Sequence, residues 1–287
     1  MLRHLLDVDD LSADELATVL DLAEKPDPPA VLAGRGTALL FEKPSNRTRV
    51  SMEMAVVQLG GHPVSLRGEE VGIDTRETAE DVARTLSQFC AVIGARVFEH
   101  GKLVRMTAVS AVPVVNLLSD EAHPCEALGD LLTLRQRLGS LEGRSVAYVG
   151  DGNNVCRSLM IAAERAGMDM RVATPPGYEP PPVAAATVTH DPAEAVAGAD
   201  AVYTDVWASM GQEDEAAKRR ADFAGFTVDD ELMAHAAPGA LFLHCLPAHR
   251  GEEVAASLID GPQSAVWQQA TNRMHAQRGL LVWLLSQ

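Results

Sequence analysis

The chain has 287 residues and a formal net charge of −16, which argues against nucleic acid or an anionic membrane surface as a partner. Hydrophobic residues make up 47% and charged residues 22%, globular values that exclude a disordered chain and allow one large core or two ordinary ones. No apolar stretch approaches the length of a membrane span, and the amino terminus MLRHLLDVDD lacks a signal-peptide pattern. The four cysteines, Cys90, Cys125, Cys156 and Cys245, are scattered without a C-x-x-C pair. A cytoplasmic protein with neither disulfides nor a structural zinc site is expected.

Ser12 opens a helical pattern that runs to Ala23 and has the capping-box spacing Ser12…Glu15. Thr37–Phe41 is an apolar run of strand type, and Pro44 ends it. Ser45 is then the expected N-cap of a helix in which Val50, Met54 and Val57 recur at helical spacing, until Gly60 and Gly61 stop the pattern. Further strands are expected over Pro63–Leu66, Ala91–Ala95 and Val112–Leu117 in the first half. In the second half they fall over Ser145–Val149, Met170–Ala173, Ala201–Asp205 and Ala240–Cys245. Helical patterns fill the gaps, one following His123 and the last running from about Ser264 to Leu285. The proline-rich stretch Thr174–Ala186 is expected as a loop.

This alternation predicts an α/β protein of two doubly wound parallel-sheet domains joined by helices. The boundary is placed after residue 122, giving domains 1–122 and 123–263, with 264–287 expected to pack back on the first domain. Ligands of open parallel sheets bind beyond the carboxyl ends of strands. Ser45–Arg47 follow the first strand, Arg96 ends the third, and the fourth leads to His123. Asp151–Asn154, Asp205–Met210 and His244–Cys245 follow strands of the second half. Six polar clusters on one rim predict an active site in a cleft between the domains.

Each feature also has a plainer reading when taken singly. Ser45, Asn46, Arg47 and Thr48 suit an anion, because a helix start offers free N–H groups and Arg47 a planar fork, yet a capped surface helix with solvated arginines reads the same. Asn153 and Asn154 suit a carboxylate or a simple turn. Asp205 and Ser209 suit an amino-acid clamp or a plain N-cap. His123 alone is more often structural, Arg96 and Arg273 are ordinary ion-pair candidates, and Cys245 could be a silent strand residue. A dinucleotide is not expected: Val155 stands where the third glycine of Gly150-x-Gly152 belongs, and the next strand ends in Thr174 and Pro175 with no acid for a ribose. His244, Cys245 and His249 lack a fourth ligand at sensible spacing, so neither a metal nor a cofactor is expected.

Taken in order, Ser-x-Arg-Thr-Arg with "LGG", HPC-x-ALGDLLT, GDGNN, DVWxSMGQE, HCLPAHRGEE and NRxHAQ resemble ornithine carbamoyltransferase over essentially the whole chain. The resemblance implies that carbamoyl phosphate and L-ornithine give L-citrulline and phosphate. It implies that Ser45, Asn46, Arg47 and Thr48 bind the phosphate, that Arg96 and His123 polarise the carbonyl, and that Arg273 closes the phosphate site. It implies that Asn154, Asp205, Ser209 and Met210 hold the amino-acid end of ornithine, and that Cys245 and Leu246 line the reacting centre. A homotrimer with sites at subunit interfaces is implied as well. Three departures stand out: Asn46 replaces the usual threonine, Glu126 replaces a glutamine that would accept from the carbamoyl NH2, and the loop Arg67–Thr78 has no glutamine. A transcarbamylase for putrescine or an acylated ornithine, and a non-catalytic ligand-binding protein, are the alternative readings.

Overall fold

The computed structural model describes residues 2–209 and 211–287. They divide into two units, Met1–Leu132 with Thr271–Gln287, and Thr133–Ala270. The sheet of the first unit contains β1 (Gly36–Phe41), β2 (His62–Arg67), β3 (Cys90–Arg96) and β4 (Val114–Leu118) in the order β2-β1-β3-β4. Every pairing is parallel. β1, β3 and β4 are buried almost throughout, which is why they read as continuous apolar runs. Ala38, Leu40, Ile93, Ala95 and Val114 join Val82, Leu103 and Met106 from the flanking helices in one core cluster.

The helix Ala13–Glu24 starts as expected, with Ser12 and Glu15 closing a reciprocal capping box. The next helix, Arg47–Gln58, departs from expectation at its start and on its buried face. Its N-cap position is Asn46, which makes no side-chain cap bond, so Ser45 lies outside the helix. It buries Thr48, Ser51, Met52, Ala55 and Val56. The more conspicuous stripe, Val50, Met54 and Val57, is 52%, 43% and 49% exposed. A helix can carry two apolar stripes, and hydrophobicity alone does not say which of them meets the sheet.

The second unit holds β5 (Ser145–Val149), β6 (Asp169–Ala173), β7 (Ala186–Thr189), β8 (Ala201–Thr204) and β9 (Leu241–His244) in the order β7-β6-β5-β8-β9, again all parallel. Its core gathers Ala147, Val149, Val202, Trp207, Phe223, Phe242 and Val254. β7 was not expected. It is an edge strand of sequence ATVT with its middle residues exposed, so it carries no apolar run. The helix Pro124–Leu138 follows His123 as predicted. The chain divides after Leu132, within that helix, whereas the sequence places the boundary after residue 122; the closing segment of the first unit begins at Thr271, not 264. Among the described residues no helix is long and apolar enough to cross a membrane.

Candidate active site

In the first unit, parallel pairing brings three strand ends level. Phe41 pairs with Arg96 and Arg96 with Leu118, so the turn after β1, the last residue of β3 and the chain leading to His123 share one end of the sheet. Arg47 opens its helix partly buried, while Thr48, Arg96, His123 and Glu126 are buried. Ser45 is partly buried and Asn46 exposed in the preceding turn.

Arg273 enters from the helix Val266–Leu285. A Cβ added at Gly129 would lie 3.2 Å from its side chain and 3.3 Å from its backbone, so glycine is what lets the two helices approach there. The guanidinium then reaches two elements at once. Nη1 donates to Glu126 Oε2 at 3.0 Å, and Nη2 donates to Thr48 Oγ1 at the start of the second helix. The same Glu126 oxygen lies 3.3 Å from His123 Nε2. Burial, then the charges of Arg273, Arg96 and Arg47, hold the His123 imidazole well below its ordinary pKa. It is neutral at neutral pH and serves as a hydrogen-bonding group, not a cation. The charges of Arg273, Arg96 and Arg47 all act on His123, and such a cluster of guanidinium groups can accept an anion.

In the second unit β5, β8 and β9 lie side by side, so their ends also align. Asn153 caps the helix Asn154–Arg165: its Oδ1 accepts from Val155 N at 2.9 Å and Cys156 N at 3.1 Å. Its Nδ2 donates to Asp205 Oδ2 at 3.0 Å. The other oxygen of Asp205 accepts from Val206 N at 2.8 Å and from Cys245 Sγ at 2.9 Å. Asn154, the residue expected here, is the first residue of the helix and partly exposed. Ser209 is partly buried, and its N–H donates to Gln212 Oε1 at 3.0 Å. Met210 lies outside the described residues. Leu246 stands at φ 60°, uncommon for a branched side chain, and its N–H donates to His244 Nδ1 at 2.9 Å. His244 Nε2 in turn meets Glu253 Oε1 at 3.1 Å.

Asp205, His244 and Cys245 bring three possible metal-ligand atoms within 4.8 Å of one another. Both nitrogens of His244 and both oxygens of Asp205 are already engaged within the protein. These residues do not fit a resident metal. The Gly150-x-Gly152 pattern has its own explanation, since a Cβ on Gly152 would come within 2.5 Å of Tyr178 O. The second glycine makes room for the proline-rich loop.

The family description "Aspartate/ornithine carbamoyltransferase, carbamoyl-P binding domain" matches residues 3–136, and the corresponding "Asp/Orn binding domain" matches residues 142–284. The chain belongs to the aspartate/ornithine carbamoyltransferase family. It is 51% identical to an ornithine carbamoyltransferase of Acidothermus cellulolyticus, over 99% of this chain and 97% of the relative. Among solved structures, the ornithine carbamoyltransferase of Thermus thermophilus is 48% identical with a TM-score of 0.93, over 99% of both chains. That of Pyrococcus furiosus is 45% identical with a TM-score of 0.94, over 99% of this chain and 97% of that one. Against the family match, the arginine cluster draws Arg47, Arg96, His123 and Glu126 from the first segment and Arg273 from the end of the second. Of the two asparagines that suit a carboxylate, the resemblance implies only Asn154 for the clamp, whereas it is Asn153 that caps the helix and donates to Asp205. Arg219 had no local signal, since its partner Asp151 lies 68 positions away along the chain.

Proposed function

We propose that this chain transfers the carbamoyl group of carbamoyl phosphate to the side-chain amine of L-ornithine, giving L-citrulline and phosphate. The observation that carries the reading is the cluster of Arg47, Arg96 and Arg273 around a buried, neutral His123, in a chain whose net charge of −16 would otherwise repel an anion. Guanidinium forks match phosphate oxygens, and the helix start at Ser45, Asn46, Arg47 and Thr48 adds N–H donors. Arg96 and His123 polarise the carbonyl, Glu126 faces the carbamoyl NH2, and Arg273 closes on the phosphate. The second unit takes the amino acid: Asp205 holds the ammonium, Asn154, Ser209 and Met210 complete the clamp, and Cys245 and Leu246 line the reacting centre.

The amine attacks as free base. Its nitrogen bonds to the carbamoyl carbon, the bond from that carbon to the phosphate oxygen breaks, and the amine proton leaves with the phosphate. Negative charge grows on the carbonyl oxygen and the departing phosphate, where fixed donors stabilise the transition state by about 2.7–4 kcal/mol each. The carbamoyl phosphate role is assigned to the first unit and the ornithine role to the second. Assembly as a homotrimer with sites at subunit interfaces belongs to the proposal too, and the exposed stripe Val50, Met54 and Val57 supports it. Four free cysteines support a reducing, cytoplasmic setting.

The test is citrulline formation from carbamoyl phosphate and L-ornithine, with putrescine and aspartate as competing amines. A clear preference for ornithine is expected, because Asp205 and Ser209 suit a zwitterionic end. Equal rates with putrescine would overturn the substrate, and ligand binding without turnover on any amine would overturn the reaction.

A further inference from the structure

The segment from Asp205 to Gln212 leaves β8 and carries no helix or strand among its described residues. Its shape depends on side-chain anchors. One of them comes from the short helix Ala216–Asp222, where Arg219 is buried. Arg219 Nη1 donates to Asp151 Oδ2 at 2.9 Å and to the carbonyl oxygen of Trp207 at 2.8 Å. Its Nε donates to Glu215 Oε2 at 3.1 Å, and the guanidinium lies 5.1 Å from the centre of the Tyr178 ring. Asp151 begins the turn that carries Asn153 and Asn154. Trp207 stands two residues after Asp205 and two before Ser209, with its ring stacked on Phe223 at 5.6 Å. One guanidinium therefore ties together the two segments that carry Asn154, Asp205 and Ser209.

We propose that Arg219 is a positioning residue for the amino-acid end of the substrate, acting through the carboxylate of Asp151 and the carbonyl of Trp207. The proposal rests on the ornithine reading above. A clamp built on an irregular segment must be ordered when ligand binds, and an anchor already in place removes that cost from the binding step. The planar fork matters, because three acceptors in different directions are served by one rigid group; a lysine ammonium on a flexible stem does not reproduce that geometry.

The pin also has a pH signature. Burial pushes the Asp151 carboxyl up to about 6, against the opposing pull of Arg219. The groups facing Asp151 are Arg219 and Glu215 from the helix side, Asp205 after β8, Tyr148 on β5, and Cys156 on the following helix. Above that pH the carboxylate is charged and the pin is complete. As pH falls through it, Asp151 takes up a proton and the charged half of the pin is lost.

The experiment compares the full-length protein with R219K and the isosteric D151N. It uses KM for ornithine and binding of L-norvaline, which keeps the amino-acid end without the side-chain amine, both with saturating carbamoyl phosphate. At roughly pH 8 each variant should weaken both by about tenfold, the size of a lost hydrogen bond to a charged group, while KM for carbamoyl phosphate stays within about twofold. Toward roughly pH 5.5 the norvaline affinities of wild type and D151N should converge, because wild-type Asp151 is then protonated. If R219K lowers the melting temperature, D151N decides the matter. Unchanged ornithine KM in both variants, or an equal rise in both KM values, overturns the proposal. Failure of the ornithine reading shows itself separately, as a wild type that forms no citrulline.

Discussion

Replacing Glu126 by Gln tests the anion site at its most unusual residue. Glu126 Oε2 lies 3.0 Å from Arg273 Nη1 and 3.3 Å from His123 Nε2, so a guanidinium assigned to substrate already serves an internal carboxylate. A like charge about 6 Å from a substrate oxygen costs roughly 3 kcal/mol at an effective dielectric near 20. The bond that a carboxylate accepts from the carbamoyl NH2 is worth roughly 1.5–3 kcal/mol, and Gln keeps an acceptor oxygen for it. Substitution relieves the repulsion and retains most of the bond. Carbamoyl phosphate should therefore bind tighter by about 1–2 kcal/mol, or roughly five- to thirtyfold. Stability should move the other way. Leaving one partner of a buried ion pair alone costs about 3–5 kcal/mol, and a Gln that keeps one hydrogen bond reduces this to about 1–3 kcal/mol. Free E126Q should melt below wild type, and added inorganic phosphate should raise its Tm by more. The assay is KM for carbamoyl phosphate, with Tm recorded with and without phosphate. E126A should lower turnover, because the NH2 group loses its acceptor and its orientation. If Gln abolishes activity while Ala does not, the carbamoyl group does not sit beside Glu126.

Arg47→Lys keeps the charge and loses the fork, so kcat/KM for carbamoyl phosphate should fall by roughly 2–4 kcal/mol in transition-state terms; a near wild-type value removes Arg47 from the site. C245A and C245S should keep reduced but measurable activity, since the Cys245 thiol donates to Asp205 and its neighbour His244 is turned to Glu253; a carbamoyl-cysteine adduct seen by mass spectrometry would contradict this. The His123 imidazole should remain neutral at about pH 6, because a depressed pKa leaves the group unprotonated down to that lower value; its nitrogen chemical shifts report the state directly, and a protonated ring there refutes the burial reasoning. Met54→Asp places a charge in the exposed stripe and should lower the assembled mass by light scattering, whereas an unchanged mass moves the interface elsewhere.

The parallel α/β class, eight of the nine strands described above and the capped helix after Ser12 were legible in the sequence, because buried strands such as β1, β3 and β5 and reciprocal caps leave local signatures. Chain order alone also put Arg96 at a strand end, and Arg47 and His123 beyond strand ends. β7 was not legible, since an exposed edge strand needs no apolar run. Nor was the buried face of the helix Arg47–Gln58, because two stripes were available and only packing chose between them. The partners of the site residues came from the tertiary structure for the same reason. Glu126 meets Arg273 through a helix approach that Gly129 permits, and Arg219 meets Asp151 across 68 positions of chain. Local propensity carries no information about contacts at such separations, which follow from which faces the sheets and helices bury against one another.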